Sequence, residues 1–264
     1  MSDARSLLRP DTETLDLSLA MAHFAEYGYA RLGPVLSQAG AQRLAARADG
    51  LMRSEEAFPG LFYQHDSPTG RYQDLVFNEG WVGPSARYRK LERLELDPLF
   101  LSFICNPLFG RLATSLLGPE VALYRSVLWN KAPSVGMAVP WHQDDGKFWG
   151  LDRAPRVQVW TALDVASGES GCLEVVPGSH KRGLASVEGG TITAEQFDVA
   201  GAAGVALPAA AGESILVHNH LWHRTSRNTT AAPRRAVSIS YLDAETRCGR
   251  KRRAPRRFLS VFGG

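Results

Sequence analysis

The hydrophobic and polar positions near the start of the chain follow a helical period. Apolar residues between positions 12 and 30 recur at this spacing and predict a helix, and GYARLGPVL then predicts a short strand and turn. The following SQAGAQRLAARADGLM predicts a second helix, because Ser37 is a suitable N-cap and the residues after it favour helix.

Two more helices are predicted in DPLFLSFICNPLFGRLATSLLG, residues 97–118. Proline disfavours helix at the residue before it, so Asn106-Pro107 divides this apolar stretch, and Gly118 ends it. Residues 54–95 mix Pro, Gly, aromatic and charged residues without a sustained period. We expect irregular structure there.

The pattern changes at Val121. Short runs rich in Val, Ile, Leu and aromatic residues follow, separated by Gly, Pro and Ser: VALYRSVLW, RVQVWTALDV, GCLEVVPG, ESILVHNHLWH and RAVSISYL. This pattern is typical of an antiparallel sandwich or barrel. Residues 181–212 form a long connection rich in Gly and Ala, which predicts a functional loop or lid.

The layout predicts one domain over residues 1–264, since no linker or internal repeat divides it. Residues 1–119 form a mostly helical and irregular part, and residues 120–264 form a β-barrel core. The hydrophobic fraction of 44% and charged fraction of 22% are ordinary for a soluble globular protein.

Several classes of protein are disfavoured. No apolar run approaches the roughly 18 residues of a membrane span, and the first residues do not resemble a secretory leader. The three cysteines, Cys105, Cys172 and Cys248, are too few and too scattered for a disulfide framework. We therefore expect a cytoplasmic protein.

The net charge of +3 is unevenly distributed. The segment 247–257, RCGRKRRAPRR, holds seven basic residues and no acidic one, so the rest of the chain carries a formal charge of −4. Such a run can bind phosphates, but no stacking motif or zinc finger accompanies it. We interpret it as a solvated surface segment rather than a nucleic-acid site.

The candidate chemistry lies in VPWHQDDGKFWGL, residues 139–151. On a strand, residues two apart point to the same side, so His142 and Asp144 can both face a barrel interior while Gln143 faces away. Two histidines and one carboxylate on one face of a metal suit iron(II) and leave three positions open. A third ligand must come from another strand. The candidates are His180, His218, His220 and His223.

The strand region resembles a known family. WHQD, VWTALD, SGCLEVVPGSHKRG, AGESILVHNHLWHRTSRNTT and PRRAVSISY occur in the order typical of the phytanoyl-CoA dioxygenase (PhyH)-like family of Fe(II)/2-oxoglutarate-dependent oxygenases. The likeness covers roughly residues 22–50 and 120–243. It implies a mainly β fold with flanking helices, namely a double-stranded β-helix (a jelly-roll or cupin-like barrel) preceded by N-terminal helices.

The resemblance also implies roles for individual residues. His223 matches the distal histidine, so that His142, Asp144 and His223 would bind Fe(II). Arg234, eleven positions later, and Thr225 match residues that hold the distal carboxylate of 2-oxoglutarate, and Trp160 matches an aromatic wall beside it. His218 and His220 match a core and a loop position, and His180 matches a turn.

Departures and open positions remain. Asp144 occupies the position where halogenating relatives carry a small residue, which implies an oxygenase. Arg125 and Pro140 stand where some relatives have amides that bind the keto acid, so we assign that contact to no residue, and the role of Lys131 stays open. The residues after the motif are candidates either for specificity or for packing: Asp145, Lys147, Phe148 and Trp149.

The sequence thus predicts an enzyme that uses Fe(II), 2-oxoglutarate and O2 to oxidise a C–H bond of a small molecule by hydroxylation, ring closure or desaturation. We expect it to tailor a specialised metabolite, with an aminoglycoside or other antibiotic intermediate as the leading substrate, and an amino acid, a polyketide or an acyl-CoA as alternatives. The competing hypothesis is a non-redox cupin-like metal-binding protein. A carboxylate clamp at Arg234 has no purpose in that case.

Overall fold

The computed structural model of the protein describes residues 7–77, 79–250 and 256–263. Its helices are α1 Ser18–Tyr27, α2 Gln38–Arg53, α3 Pro98–Ile104, α4 Pro107–Leu117 and α5 Ala194–Ala203. Short 3-10 helices span Pro10–Thr14, Tyr72–Asp74, Leu94–Leu96, Lys147–Trp149 and Ser179–Arg182. The first four helices confirm the helices predicted before residue 119. Two caps explain their starts: Ser37 accepts a hydrogen bond from the backbone of Gly40, and Asn106 accepts one from Phe109.

Thirteen strands follow the helical segments or lie between them within the described residues. They are β1 Tyr29–Pro34, β2 Phe62–His65, β3 Tyr88–Glu92, β4 Val121–Lys131, β5 Val139–Gln143, β6 Val157–Ala162, β7 Leu173–Val175, β8 Gly190–Thr191, β9 Val205–Leu207, β10 Glu213–Val217, β11 His223–Thr225, β12 Arg234–Asp243 and β13 Leu259–Phe262.

The strands form two antiparallel sheets. The large sheet has the order β1-β10-β6-β12-β4-β3-β2, with β13 also paired to β4, and the small sheet has the order β8-β5-β11-β7-β9. Consecutive strands alternate between the sheets from β4 to β7 and again from β9 to β12. Two facing antiparallel sheets connected in this way are the arrangement of a double-stranded β-helix, and the predicted fold class is confirmed. In the described residues the sheets stay separate and do not close into one continuous barrel.

The large sheet separates the main core from the cavity that faces the small sheet. On β12, Val237, Ile239 and Tyr241 belong to the core cluster that includes α2, α3 and α4. The alternate residues Arg234 and Ser238 line the cavity on the other face. This period-2 alternation places apolar side chains against the helices and polar side chains towards the site.

The expectation of irregular structure over residues 54–95 is partly wrong. The strands β2 and β3 pair with each other there, and β3 extends the large sheet by pairing with β4. Tyr63, Tyr88 and Leu91 are buried in the main core. The prediction failed because each strand is short, and charged residues interrupt its apolar positions.

The 181–212 segment is also more regular than the predicted loop. It contains α5, β8 and β9, and its Ile192 and Ala200 pack in a cluster with Trp141 and Trp222. The sequence did not predict this helix because its many Gly and Ala residues do not form distinct apolar and polar faces. A capping box between Thr193 and Gln196 marks its start.

The end of the chain returns to the large sheet. Strand β13 pairs with the beginning of β4, as the apolar character of RFLSVFGG suggests. Of the basic segment 247–257, residues 251–255 lie outside the described residues. Where the segment is described, Arg250 donates to the carbonyl of Phe148 and Arg256 donates to that of Tyr124.

Within the described chain, no single helix has the length and apolar composition of a membrane span, although α3 and α4, bent by 50° to each other, meet both criteria as a pair. The cysteines Cys105, Cys172 and Cys248 are all free.

Candidate active site

The cavity lies between the two sheets and contains about 650 Å³ of empty space, counted to its open mouth. Its apolar walls are Trp129, Met137, Val139, Trp160, Leu173 and Val217. Its polar lining is Asp66, Arg89, Asn130, Lys131, His142, Asp144, Gln158, His223, Thr225, Arg234 and Ser238. A concave cavity that combines apolar walls with convergent polar groups is typical of a small-molecule site.

Three of these residues can hold a metal ion. His142 lies near the end of β5, and Asp144 is the first residue after that strand. His223 begins β11, which pairs with β5. One ligand atom from each residue lies within 4.8 Å of the other two. Gln143 points the other way and donates to the carbonyls of Gly183 and His220, as the predicted alternation requires.

The backbone fixes the orientation of both imidazoles. The Nδ1 of His142 lies 2.8 Å from the carbonyl oxygen of Pro140, and the Nδ1 of His223 lies 2.8 Å from that of Leu221. Because a carbonyl can only accept, Nδ1 carries the proton in each ring and Nε2 keeps its lone pair. This arrangement leaves Nε2 of both histidines free to bind a metal.

Two side chains hold the carboxylate of Asp144 from opposite sides. Arg125 Nη2 lies 3.2 Å from Oδ1, and Gln158 Nε2 donates to Oδ2 at 3.0 Å. Ser240 in turn donates to Gln158 Oε1 at 2.9 Å. Arg125, Ser240 and Gln158 are register partners on β4, β12 and β6, so the large sheet itself orients the carboxylate.

The electrostatic environment favours the neutral form of His142 and the ionised form of Asp144. Burial lowers the pKa of His142 to about 4, with the neighbouring His223 acting in the same direction. Burial opposes ionisation of Asp144, but Arg125 and the two histidines outweigh it and hold its pKa well below the usual range. A neutral imidazole and an ionised carboxylate are the forms that bind metal.

The polar groups of the cavity that lie apart from the candidate metal ligands suit a carboxylate. Arg234 is 1% exposed, and its Nε and Nη1 have no hydrogen-bond partner among the described residues. The hydroxyl of Thr225 is also buried without a partner in that part of the chain. Unpaired buried donors are costly, and an anionic ligand that accepts two or three hydrogen bonds satisfies them. Trp160 is a buried wall of the same cavity.

Lys131 lies beside Arg234, as its register partner. Its ammonium donates to the carbonyl of Met137. Burial, with the added effect of the nearby Arg234 and Arg89, holds the pKa of Lys131 well below its usual value. Lys131 therefore lines the cavity and loses its proton more readily than an exposed lysine does.

The remaining candidate histidines lie elsewhere. His180, His218 and His220 form a chain of rings with centroids 5.0 and 5.4 Å apart, and none of them lines the cavity. His220 Nε2 is 2.7 Å from Asp145 Oδ2. The structure thus brings His223, and not these three, to His142 and Asp144.

The residues after the motif are also away from the cavity. None of Asp145, Lys147, Phe148 and Trp149 lines it. Trp149 is 2% exposed and stacks on Tyr124 with ring centroids 4.6 Å apart. Arg235, next to Arg234, points to the opposite face of the sheet and forms ion pairs with Asp164 and Asp49.

Sequence reasoning missed four residues at the site. Gln158 was detectable, because it lies two residues before Trp160 on the same strand and so shares its face. Arg125 was noticed only as a departure. Nothing in the sequence indicated Asp66 and Arg89 as site residues, since the antiparallel pair of β2 and β3 that positions them was not predicted.

Comparison with known proteins identifies the family to which the chain belongs. The family model "Phytanoyl-CoA dioxygenase (PhyH)" matches residues 24–236. A phytanoyl-CoA dioxygenase of Arabidopsis thaliana is 31% identical over 161 residues, covering 57% of this chain and 55% of the relative. The chain therefore spans about half the length of the first curated relatives it matches.

Other relatives match over more of their length. An L-proline trans-4-hydroxylase of Streptomyces griseoviridis is 26% identical, and the match covers 84% of this chain and 85% of the hydroxylase. Among solved structures, the epimerase SnoN in complex with Fe3+, alpha ketoglutarate and nogalamycin RO superposes with a TM-score of 0.73 at 19% identity, covering 93% of this chain and 98% of that one. At this identity the likeness concerns the fold.

Proposed function

Because this chain belongs to the phytanoyl-CoA dioxygenase family, whose members use Fe(II), 2-oxoglutarate and O2, we propose that it is an oxygenase of this class that oxidises a C–H bond of a small molecule. One observation carries the proposal. The cavity that collects His142, Asp144 and His223 also contains the unpartnered donors of Arg234 and Thr225.

The metal is held by Nε2 of His142, Nε2 of His223 and the carboxylate of Asp144. Two histidines and one carboxylate with open positions are the donor set of non-haem iron(II) oxygenases. Arg125 and Gln158 keep the Asp144 carboxylate in place, and the carbonyls of Pro140 and Leu221 keep the imidazoles in place.

The cosubstrate is held at both ends. Its keto acid end would face the metal-binding residues, and its distal carboxylate would be bound by the guanidinium of Arg234 and the hydroxyl of Thr225. This carboxylate would supply the acceptors that Nε and Nη1 of Arg234 lack. Trp160 would form an aromatic wall beside the cosubstrate. A non-redox metal protein has no use for this second set of donors, so the set supports the oxidative function.

The bound iron, 2-oxoglutarate and O2 supply an oxidant that removes a hydrogen atom from an unactivated carbon, with release of carbon dioxide and succinate. The chain's own residues bind the reactants, orient them and exclude water. Trp129, Met137, Val139 and Leu173 give the apolar walls that such a site needs.

The substrate is a small molecule of specialised metabolism, with an antibiotic intermediate such as an aminoglycoside as the leading candidate and an amino acid as the alternative. The proline hydroxylase from Streptomyces supports hydroxylation of a compact molecule. The three free cysteines support a reducing compartment such as the cytoplasm.

Anaerobic addition of Fe(II) and 2-oxoglutarate tests the assignment. We expect a visible charge-transfer band that needs both additions, and succinate formation once oxygen is admitted. A protein that binds iron without any spectral response to 2-oxoglutarate contradicts the proposal and favours the non-redox alternative.

A further inference from the structure

Asp66 is a buried carboxylate of the cavity that the proposed chemistry does not use. It follows directly on β2 and lines the cavity, and its side chain is 4% exposed. Neither oxygen has a hydrogen-bond partner of normal geometry within the described residues, although the backbone N–H of Met137 lies close enough to lower the pKa of the carboxyl. The nearest cation is Arg89, whose Nε is 3.8 Å from Oδ1, beyond hydrogen-bonding distance.

None of the three cations that line the cavity donates a hydrogen bond to Asp66. Arg89 Nη1 donates to Gln64 Oε1 at 2.8 Å, and its guanidinium lies 5.3 Å from the ring centroid of Trp129. Lys131 donates to the carbonyl of Met137. Arg234 has unpartnered donors, but the proposed function assigns them to the 2-oxoglutarate carboxylate. Asp66 therefore remains an acceptor that these cations leave without a hydrogen bond.

2-Oxoglutarate cannot supply the missing partner. As a dianion it offers only acceptor oxygens, and an ionised aspartate is also acceptor-only. Water can donate to Asp66 in the open cavity, and when substrate displaces that water, the donor that Asp66 lacks has to come from the substrate.

We propose that Asp66 binds an ammonium group of the substrate, so that the molecule oxidised here is an amine. This inference rests on the proposed function, because it treats the same cavity as the substrate site. The ammonium both donates to the carboxylate oxygens and compensates their buried charge, whereas a hydroxyl only donates. The walls formed by Trp129, Met137 and Val139 contact the apolar part of the molecule.

The protonation behaviour of Asp66 agrees with this assignment. Burial raises the pKa of its carboxyl, and the opposing effects of Arg89, Lys131, the backbone N–H of Met137 and Arg87 do not cancel the rise. A bound cation opposes the effect of burial, since an opposite charge at short range favours the ionised form.

A matched set of ligands tests the inference without knowledge of the natural substrate. The full chain is loaded with Fe(II) and 2-oxoglutarate without oxygen, and loading is verified by the charge-transfer band. Calorimetric titration then compares cyclohexylamine, cyclohexanol and cyclohexanecarboxylate, which share one ring and differ in the polar group. We expect the amine to bind most tightly and the carboxylate most weakly.

The variants separate charge recognition from general damage. Asp66→Asn should weaken amine binding by at least about tenfold and leave cyclohexanol within a factor of about three. Asp66→Ser serves as a second variant if the first does not fold. Asp198→Asn makes the same change at an exposed position on α5 and should bind all three ligands as the wild type does.

The outcomes are distinct. Failure of the wild type to load iron and 2-oxoglutarate overturns the proposed function itself. A loaded wild type that binds none of the ligands, or prefers the carboxylate, overturns the amine assignment alone. Unchanged amine affinity in a folded Asp66 variant does the same.

Discussion

His142 and His223 are register partners on the antiparallel strands β5 and β11, and their ring centroids lie 4.1 Å apart. Each ring is oriented by a carbonyl of its own strand region, two residues earlier in the chain. The pairing of two strands thus sets the separation of two metal-binding nitrogens. Asp144 enters the same space because it follows His142 by two residues.

Removing any of these three side chains should abolish metal binding. His142→Ala, Asp144→Ala and His223→Ala should each lower Fe(II) or Co(II) affinity by more than about 100-fold, since loss of an outer partner alone costs about 10–100-fold. Calorimetry or the Co(II) absorption spectrum measures this. His23→Ala, on the exposed face of α1, is the control. Loss of metal from His220→Ala with retention in His223→Ala is the result that reverses the ligand assignment.

Substitution of Arg234 should weaken 2-oxoglutarate binding, whereas substitution of Arg235 should lower stability. Truncating one side of a buried charged pair costs about 2–5 kcal/mol, so Arg234→Ala should raise the 2-oxoglutarate requirement by roughly 30- to 4000-fold with the metal still bound. Titration of 2-oxoglutarate against the charge-transfer band gives the value. An unchanged requirement refutes the clamp.

The neighbouring arginine should show the opposite behaviour. Arg235 donates to Asp164 through Nε and Nη2 and to the carbonyl of Ala45, on the face away from the cavity. Arg235→Ala should therefore lower the free energy of unfolding by about 3 kcal/mol while the folded variant binds 2-oxoglutarate normally. Urea unfolding and the same titration decide between the two roles.

Gln158 should contribute to metal affinity without touching the metal. Gln158→Leu removes the donor at Asp144 Oδ2 and leaves Ser240 without its acceptor. We expect a loss of about 10–100-fold in Co(II) affinity. Gln196→Leu removes a surface capping contact on α5 instead and should not change it. Equal affinities in the two variants would mean that Arg125 alone orients the carboxylate.

The metal-free protein should lose stability in mild acid through His218. Burial lowers the pKa of His218 to about 3 in the folded state, below its ordinary value of 6.5. Between these values the unfolded chain binds a proton that the folded chain does not, so the free energy of unfolding falls as the pH decreases. The slope from this group is at most about 1.4 kcal/mol per pH unit.

Replacing the imidazole of His218 should remove its contribution to the pH dependence of the free energy of unfolding. In urea unfolding between about pH 6.5 and pH 4, His218→Gln should show a shallower loss of stability than the wild type. His23→Gln, at an exposed site, should keep the wild-type slope. A steeper slope in the His218 variant contradicts the assignment of its neutral form to the folded state.

The sequence by itself determined the chemistry of the site and the outline of the fold. His142 and Asp144 are two residues apart next to a strand, so the period of the strand was enough to place both on one side. The N-cap residues Ser37 and Asn106 and the apolar runs after Val121 act locally, and local patterns are readable from a chain.

Tertiary structure decided the contacts that join distant segments. Spacing alone left His223 open against His218 and His220, and the family resemblance assigned it. The register of β11 against β5 is what brings its ring beside His142. The pairing of Arg125, Ser240 and Gln158 around Asp144 needs three strands aligned in one sheet. Asp66 reaches the cavity because β2, which it follows, pairs with β3, and β3 pairs with β4. Residues 66–87 separate the two short strands β2 and β3, so neither strand carries enough pattern to reveal its partner. Register and packing are properties of pairs of segments, and no single stretch of sequence contains them.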